Sequence, residues 1–480
     1  MYFLRLYDDG LAQASYVIGC PRSGVAIVID PNRLVDQYIA AAEREGLRIT
    51  AVTETHIHAD FVSGARELAA RTGATIHLSA CGPPEWQYRF RAERGIELLR
   101  DRDTIRSGNI ELRAVHTPGH TPEHISFLVT DTVLAAEPMG IVTGDFVFVN
   151  DVGRPDLLER AAQIQGTAEL GARQLYKSLT WFKTLPDHVQ IWPGHGAGSA
   201  CGKGMSAVPQ STVGYERRFN WAFQVESEDQ FVTMVLHGQP EPPRYFREMK
   251  RINREGPKVL GAIALPERVS ENRLAGLLAS GAQIVDVRPA AAFAAGHIPG
   301  TLSIPFNNSF ATWAGGLLPY DQDLYLMVDE ASSGRLMRIV QNLALIGFDR
   351  VRGYFAAEAL ALWRAQGGPI EQIEQLSVDD LARKRHGLAI LDVRSRSEWE
   401  SGHLPGAQLI PLTELPDRLG EVAADRPVAV HCQSGSRSAI AASLLQARGH
   451  GAVANVTGGM GAWETAGLPV EQDMATKEAS

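Results

Sequence analysis

The chain has few cysteines and no long apolar run, and each shortage narrows the possible functions. Its 480 residues include only four cysteines, Cys20, Cys81, Cys201 and Cys432, and none of them forms a Cys-x-x-Cys pair. Cysteines this scattered give no disulfide framework and indicate reduced thiols whose value lies in their reactivity. No stretch approaches the roughly 18 apolar residues of a membrane span. The N-terminus also lacks the basic and apolar regions of a signal peptide, so we expect a cytoplasmic protein.

The charge balance lacks a basic cluster. The formal net charge is −9, and charged residues make up 21% of the chain without a run of lysine or arginine. We therefore expect neither a nucleic acid nor a membrane as partner. The length exceeds what one hydrophobic core usually supports, and it predicts about three domains.

The stretch from Thr55 to Phe61 is the most informative motif. It reads Thr-His-Ile-His-Ala-Asp-Phe and follows an apolar run that ends at Val52 and is typical of a buried strand. His56, His58 and Asp60 are therefore predicted in a loop just past a strand end, where alternate residues point into one cavity.

Three later segments offer further candidate metal ligands. They are His120 in the stretch His116-Thr-Pro-Gly-His120, Asp145 in Thr143-Gly-Asp145, and His195 in Pro193-Gly-His195-Gly. Each follows a plausible strand and precedes a turn rich in glycine and proline. A single loop histidine is usually not a ligand, but four such segments in succession indicate a metal site.

This succession of motifs resembles the metallo-β-lactamase superfamily over roughly residues 1–250. The resemblance implies an αββα sandwich with the metal at one edge of two sheets. In the binuclear hydrolases of the superfamily the motif is His-x-His-x-Asp-His, and its last histidine binds a second metal. Phe61 stands at that place here. A two-metal hydrolytic site is therefore disfavoured, whereas a single-metal site stays intact.

Within the superfamily, the chain is most similar to the persulfide dioxygenases. That resemblance implies one Fe(II) per chain, held by His56, His120 and Asp145. Two imidazoles and one carboxylate leave open positions for O2 and for a substrate sulfur, although the same ligands can hold zinc. Groups that orient ligands or bound water would be His58, Asp60 and His195.

Two further residues near this site are predicted to handle the substrate. The resemblance implies that Arg154, nine residues past Asp145, faces the thiol substrate, where a guanidinium can hold a carboxylate. Cys201 lies in a glycine-rich segment beside Lys203, and an adjacent cation lowers the pKa of a thiol. Cys201 is either an inert loop cysteine or a thiol that carries sulfane sulfur.

The second half of the chain contains an internal repeat. The stretch from Asp286-Val-Arg288 to His297-Ile-Pro-Gly recurs at a constant offset as Asp392-Val-Arg394 to His403-Leu-Pro-Gly. Two copies of one α/β domain are implied. Both resemble the rhodanese family, over roughly residues 267–370 and 375–475.

The C-terminal copy has a candidate nucleophile in Cys432. A short apolar strand precedes it, and a tight loop runs from it into a helix predicted over 439–447. Backbone N–H groups of such a loop favour the thiolate and can cradle a sulfonate or a persulfide, and Arg437 would neutralise the anion. Four residues separate Cys432 from Arg437, whereas tyrosine phosphatases have five there. These loop residues, which we expect to bind substrate, are Gln433, Ser434, Gly435 and Ser436.

The middle copy lacks a cysteine. Aligning Arg335 with Arg437 puts Glu330 at the place of Cys432, and a carboxylate can neither accept sulfur nor attract an anion. We expect this copy to be catalytically inactive and to space or dock the other two domains, with a regulatory role as the alternative.

These predictions combine into an iron dioxygenase that oxidises a low-molecular-weight persulfide with O2 to sulfite, fused to a sulfurtransferase. The thiol of the persulfide would be of the glutathione or coenzyme A type, with thiosulfate and sulfite as partners of Cys432. Related dioxygenases are commonly dimeric, so a homo-oligomer is expected. Two alternatives stay open: a thioester hydrolase of the glyoxalase II type with a rhodanese, and a sulfur carrier or sensor.

Overall fold

A computed structural model describes residues 1–162 and 166–472 of the chain. These residues form two compact units. The first comprises Met1–Ile263 with Ala344–Gly347, and the second comprises Ala264–Leu343 with the chain from Phe348 onward. No helix in the described ranges is both long enough and apolar enough to cross a membrane.

The first unit contains two six-stranded sheets. The first sheet has the order β1-β2-β3-β4-β5-β6, antiparallel from β1 to β3 and parallel from β3 to β6. Its strands are β1 (Tyr2–Asp8), β2 (Gln13–Cys20), β3 (Val25–Ile29), β4 (Arg48–Thr53), β5 (Thr75–Ser79) and β6 (Ile96–Leu99).

The second sheet has the order β12-β11-β10-β9-β8-β7, and only its β10–β11 pair is parallel. Its strands are β7 (Thr104–Ser107), β8 (Ile110–His116), β9 (Ile125–Asp131), β10 (Gly140–Gly144), β11 (Gln190–Pro193) and β12 (Ser211–Thr212).

Eight helices accompany these sheets. They are α1 (Asp36–Arg44), α2 (Ala65–Thr72), α3 (Leu157–Ala162), α4 (Thr167–Phe182), α5 (Val213–Phe219), α6 (Trp221–Gln224), α7 (Glu228–Leu236) and α8 (Phe246–Glu255).

Three hydrophobic cores arrange the sheets and helices in four layers. Tyr16 and Ile18 pack with Phe127 of the other sheet in the central core. Val17 points the opposite way and packs against α1 and α2, because successive side chains of a strand alternate between its faces. Leu128 likewise faces away from the central core and packs with α4 and α7. The expected αββα sandwich is confirmed.

The second unit contains two parallel sheets, one for each copy of the repeat. The middle copy has the order β14-β13-β15-β16, with β13 (Gln283–Asp286), β14 (Leu302–Ser303), β15 (Leu324–Met327) and β16 (Val351–Phe355). Its helices are α9 (Leu274–Ala279), α10 (Ala290–Ala295), α11 (Phe310–Leu317), α12 (Glu330–Ser333), α13 (Leu336–Leu345) and α14 (Ala359–Ala365).

The C-terminal copy has the order β17-β21-β20-β18-β19. Its strands are β17 (Glu374–Leu376), β18 (Ala389–Asp392), β19 (Gln408–Leu409), β20 (Val428–His431) and β21 (Val453–Val456). Its helices are α15 (Val378–Lys384), α16 (Arg396–Glu400), α17 (Ser436–Ala447) and α18 (Gly459–Thr465). The helix after Cys432 thus begins three residues before the predicted start.

Candidate metal centre and sulfur-transfer loop

Three strand ends of the first unit bring together His56, His120 and Asp145. His56 follows β4, His120 follows β8, and Asp145 comes directly after β10. Their potential ligand atoms lie within 4.8 Å of one another, and all three residues are buried. The Nε2 atoms of His56 and His120 lie 3.9 and 3.4 Å from Oδ2 of Asp145. The structure therefore gathers the three predicted ligands at one point.

Neighbouring groups orient both imidazoles toward this point. His120 Nδ1 lies 3.0 Å from the carbonyl oxygen of Arg154. A carbonyl only accepts, so Nδ1 carries the proton and Nε2 keeps its lone pair for a metal. His56 Nδ1 lies 3.0 Å from the hydroxyl of Thr55, which leaves its Nε2 directed at Asp145.

The ionisation states also suit a cation. Burial lowers the pKa of His56 well below its ordinary value and that of His120 to about 4, so both imidazoles are neutral. Burial opposes the charge of Asp145, but the surrounding imidazoles, His195 foremost, hold its pKa well below the usual range. Among the described residues neither carboxylate oxygen of Asp145 has a hydrogen-bond partner. A metal ion would satisfy this buried anion, so the donor set fits one.

The three residues expected to support the ligands divide into two groups. His58 Nε2 lies 3.1 Å from Oδ1 of Asp30, and this carboxylate outweighs burial and raises the pKa of His58 to about 9. His195 Nε2 lies 3.4 Å from both Asp60 Oδ2 and Asp145 Oδ1, while its Nδ1 contacts the carbonyl oxygen of Ala12 at 2.9 Å. His195 therefore links the carboxylates of Asp60 and Asp145.

Phe61 closes one side of the loop without offering a ligand. Its side chain is fully buried, and its ring centroid lies 4.4 Å from that of His58. Nearby, Asp60, His195 and Cys201 form a second group of buried potential ligand atoms within 4.8 Å of one another. A carboxylate, an imidazole and a thiol therefore lie close to His56, His120 and Asp145, although position 61 offers no ligand.

Two residues that the sequence reasoning did not assign hold the site in place. His124 Nε2 accepts a hydrogen bond of 3.1 Å from the backbone N–H of Asp145. Asp30 accepts hydrogen bonds from the backbone N–H and hydroxyl of Thr55, at 2.6 and 2.9 Å. Two features of the sequence could have indicated these residues. Asp30 directly follows the apolar run of β3, and His124 belongs to the same segment as His120.

Arg154 has internal partners. Its side chain is fully buried, and two of its nitrogens donate to Asp156 at 2.8 and 2.7 Å. A third nitrogen donates to the carbonyl oxygen of Ala200 at 3.1 Å. The geometry therefore gives the guanidinium a role in joining two loops, and its predicted contact with a substrate stays a prediction.

Lys203 does not activate Cys201 as predicted. Its ammonium donates to the carbonyl oxygens of Met234 and His237, both at 2.8 Å. Cys201 itself is 1% exposed, and burial, reinforced by Asp145, raises the pKa of its thiol to about 12. The prediction from adjacency was wrong because the lysine side chain extends toward distant carbonyls.

The loop after Cys432 has the predicted geometry around the sulfur. Cys432 follows β20, and its Sγ accepts hydrogen bonds from the N–H of Gly435 at 3.1 Å and the hydroxyl of Ser438 at 3.5 Å. Gly435 has φ of +99°, which allows the loop to turn back over the sulfur. Burial disfavours the thiolate, but these hydrogen bonds lower the pKa of Cys432 below its ordinary value overall.

The rim of this loop is open, whereas its arginine is paired. Gln433, Ser434 and Ser436 are exposed, so a ligand can reach the loop from solvent. Arg437 donates two parallel hydrogen bonds, 2.7 and 2.6 Å long, to the carboxylate of Glu398. Glu398 therefore neutralises the charge that was expected to bind an anion.

The register of the middle copy corrects one prediction. Asp286 pairs with Met327, as Asp392 pairs with His431. The residue at the place of Cys432 is therefore Val328, and Glu330 lies two residues later, at the start of α12. The alignment on Arg335 was wrong because the middle loop is longer. Valine cannot accept sulfur either, so the inference that this position lacks a nucleophile is unchanged.

Comparison with known proteins identifies both parts of the chain. Residues 8–195 match the family model of the metallo-beta-lactamase superfamily, and residues 270–355 and 377–466 match that of the rhodanese-like domain. The crystal structure of a metallo-beta-lactamase from Staphylococcus aureus subsp. aureus COL is 41% identical, with a TM-score of 0.66. That match covers 74% of this chain and 99% of the other.

Three of the curated relatives differ from one another in function. A sulfurtransferase from Allochromatium vinosum is 33% identical over 101 residues, 21% of this chain and 94% of the relative. The mitochondrial persulfide dioxygenase of Bos taurus is 27% identical over 242 residues, 50% and 82% of the two chains. A hydroxyacylglutathione hydrolase from Rhodopseudomonas palustris (strain ATCC BAA-98 / CGA009) is 26% identical over 255 residues, 52% and 87%. Oxygenases and hydrolases share this fold, so it does not decide the reaction.

Proposed function

We propose that this chain, which belongs to the metallo-β-lactamase superfamily and carries two rhodanese-like domains, is a persulfide dioxygenase coupled to a sulfurtransferase. The first unit would convert a low-molecular-weight persulfide, O2 and water into thiol and sulfite. The C-terminal copy would move sulfane sulfur between persulfide, sulfite and thiosulfate.

The observation that carries the oxygenase is Phe61. It removes a second-metal histidine of the hydrolases while leaving His56, His120 and Asp145 together. One Fe(II) on these residues would supply open coordination positions for O2 and for a sulfur ligand. Thr55 and the Arg154 carbonyl oxygen fix the two imidazoles, and His124 fixes the backbone at Asp145. The similarity to a persulfide dioxygenase supports the same reaction.

The sulfurtransferase rests on Cys432. Its thiolate would attack the outer sulfur of a donor, so that a Cys432–sulfur bond forms as the donor's sulfur–sulfur bond breaks. With a persulfide as donor, the leaving group is a thiol, and sulfite would then accept the sulfur and give thiosulfate. With thiosulfate as donor, sulfite leaves and Cys432 carries the persulfide. The N–H of Gly435 and the hydroxyl of Ser438 stabilise negative charge on the sulfur in both directions.

A specific observation favours a second candidate, a hydroxyacylglutathione-type thioester hydrolase. Asp60, His195 and Cys201 offer another group of converging ligand atoms. A second metal there would sit beside the first and favour hydrolysis. This candidate predicts two metal ions per chain and no consumption of O2.

Oxygen uptake and metal content separate the two candidates. The purified, iron-loaded protein receives glutathione persulfide in an oxygen-electrode cell, and the metals of the same sample are quantified. The dioxygenase predicts about one iron per chain, with about one O2 consumed for each sulfite or thiosulfate formed. Absence of uptake, with about two metal ions per chain and cleavage of a glutathione thioester given to the same sample, would establish the hydrolase instead.

A further inference from the structure

Asn253 is a buried amide that binds the backbone of the loop between β4 and α2. This loop, residues 55–63, carries the first candidate metal ligand, and we call it the metal loop. The Asn253 Nδ2 atom donates to the carbonyl oxygens of His58 and Phe61, at 2.8 and 2.7 Å. Its Oδ1 atom accepts a hydrogen bond of 2.9 Å from the backbone N–H of Ser63. One side chain thus joins three backbone groups of the metal loop.

The chemistry and the burial of this amide require all three contacts. A carbonyl oxygen only accepts hydrogen bonds, so the amide nitrogen of Asn253 must face the two carbonyls and its oxygen the N–H. Asn253 is 1% exposed and lies on the inner face of α8 with Phe246 and Met249. Asparagine is a weak helix former, and burial of an amide is costly without partners. Its bonds to the metal loop therefore account for its presence among apolar residues.

The first half of the metal loop is bonded to the region that matches the metallo-beta-lactamase model. The backbone N–H of Ile57 donates to Oε1 of Glu123 at 3.0 Å, and Glu123 lies within the matched residues 8–195. Asn253 follows that region by more than 50 residues. The second half of the metal loop is thus bonded to a helix that lies outside the family match.

Asp60 is the side chain whose position the contacts of Asn253 control. It lies between the two carbonyl groups that Asn253 binds, and neither of its carboxylate oxygens has a hydrogen-bond partner among the described residues. The backbone therefore determines where this carboxylate lies. Its Oδ2 atom is 3.4 Å from Nε2 of His195, which is also 3.4 Å from Oδ1 of Asp145. A backbone shift at Asp60 would thus change the surroundings of Asp145 through His195.

We propose that Asn253 is a positioning residue for the metal centre, because its three hydrogen bonds fix the backbone around Asp60. This inference rests on the metal centre of the proposed function, whichever of the two candidate reactions that centre catalyses. Residues that support metal ligands from outside the coordination sphere typically change metal affinity by about ten- to hundredfold when they are replaced.

The test replaces Asn253 by aspartate and measures metal binding by the full-length protein. Asn253→Asp keeps the size of the side chain and the acceptor for Ser63, but an ionised carboxylate cannot donate to the two carbonyl oxygens. After removal of metal with a chelator, Co(II) is titrated in against a competing chelator, and its d–d spectrum reports the ligand geometry. We expect the affinity to fall at least about tenfold and the d–d bands of the bound ion to change.

Asn220→Asp is the matched control. Asn220 is also buried in the first unit, and its amide bonds to the Asp151 carbonyl oxygen, Glu216 Oε2 and the Ala222 N–H, at 3.0, 2.9 and 3.1 Å. These partners lie outside the metal loop. We expect both variants to melt at a lower temperature than the wild type, but only Asn253→Asp to change the Co(II) affinity and spectrum. An equal change in both variants, or none in Asn253→Asp, would overturn the positioning role.

A milder variant keeps the test decisive if the aspartate prevents folding. Asn253→Ser retains a hydroxyl that can make one of the three hydrogen bonds, so we expect a smaller loss of Co(II) affinity with a spectral change of the same kind. Wild-type affinity and spectrum in this folded variant would count against the positioning role.

Failure of the proposed reaction would look different. If the iron-loaded wild type consumes no O2 but Asn253→Asp weakens Co(II) binding, the dioxygenase is refuted and the positioning role stands. If the wild type consumes O2 with glutathione persulfide and Asn253→Asp binds Co(II) like the wild type, the positioning role is refuted and the dioxygenase stands.

Discussion

The middle and C-terminal rhodanese-like copies use the same internal contacts around the motifs that they share. Arg288 binds Asp286 and the Gly296 carbonyl oxygen, at 2.6 and 3.2 Å. Arg394 binds Asp392 and the Gly402 carbonyl oxygen in the same way, at 2.8 and 2.7 Å. The repeated Asp-Val-Arg motif therefore fixes the loop that follows the first strand of each copy, and it does so with or without an active cysteine.

The histidine of the shared His-x-Pro-Gly motif also makes the same contact in both copies. The His297 ring stacks on Phe293 with centroids 3.8 Å apart, and the His403 ring stacks on Trp399 at 3.6 Å. Since both copies preserve these contacts, the motif identifies the scaffold and carries no information on sulfur transfer. The two copies differ in the loop after β15 or β20, where one copy has Val328 and the other has Cys432.

The largest expected effect comes from removing the sulfur of that loop. Cys432→Ser should lower transfer of sulfur from thiosulfate to cyanide at least about a thousandfold, because a serine hydroxyl is not ionised at neutral pH and cannot carry sulfane sulfur. Thiocyanate formation measures the rate. Cys81→Ser, at a half-buried thiol of the first unit, is the control. Retained activity in Cys432→Ser would mean that the two copies do not differ in the way proposed.

A smaller effect is expected from the hydroxyl that supports the thiolate. Ser438→Ala removes the hydrogen bond to Cys432 Sγ, so the pKa of the thiol should rise from its lowered value. The thiolate fraction then falls at pH 7, and alkylation by iodoacetamide should slow by about two- to fivefold, with its midpoint moved to higher pH.

Ser436→Ala is the matched control, because the Ser436 hydroxyl contacts only that of Ser434 within this loop, at 3.4 Å. An equal change in both variants would point to a general disturbance of the loop rather than to the Ser438 hydrogen bond.

Freeing Arg437 from its ion pair with Glu398 should modestly improve sulfur transfer, whereas the two preceding substitutions impair it. The pKa of Glu398 is held at about 2, since hydrogen bonds from Arg437 and Ser395 outweigh burial. Glu398→Gln keeps a side chain that can bond to Ser395 but leaves Arg437 with a net charge beside the loop. We expect the KM for thiosulfate to fall by about two- to threefold. An unchanged KM, with normal Cys432 alkylation, would show that Arg437 does not reach the anion.

The smallest effect tests the middle copy, which we predict to be inactive. Val328→Cys places a thiol at the position that corresponds to Cys432, yet Asp329 follows it and uses its side chain to cap α12 through the Ser332 N–H at 2.7 Å. The carboxylate disfavours a neighbouring thiolate and repels an anionic donor. In the Cys432→Ser background we expect no measurable transfer. Recovered thiocyanate formation would mean that the cysteine, and not its loop, defines the difference.

The sequence predicted those features that depend on local pattern. The apolar runs before His56, His120, Asp145 and His195 are strands, and all four loops lie at their predicted strand ends. The constant offset of the repeat predicted two related domains, because hydrophobic strands and turn residues recur in register.

The predictions that failed or stayed incomplete depended on side-chain partners far along the chain. Lys203 extends to carbonyl oxygens more than 30 residues away, which adjacency to Cys201 could not reveal. Asp30 reaches Thr55, and His124 reaches the Asp145 backbone, only after β3, β4, β9 and β10 have come together. Glu330 was misplaced because an insertion in a loop changes spacing without changing the strand register.

The most direct measurement follows O2 and products for the wild type and Cys432→Ser side by side, with glutathione persulfide as the only sulfur source. The account predicts equal initial rates of O2 uptake by the two proteins, with thiosulfate accumulating in the wild type and sulfite in the variant. Because each thiosulfate uses a second persulfide, total uptake at completion should be about half as large in the wild type as in the variant. Absence of O2 uptake in both would contradict the dioxygenase. The same proportion of thiosulfate from both proteins would contradict the assignment of sulfur transfer to Cys432.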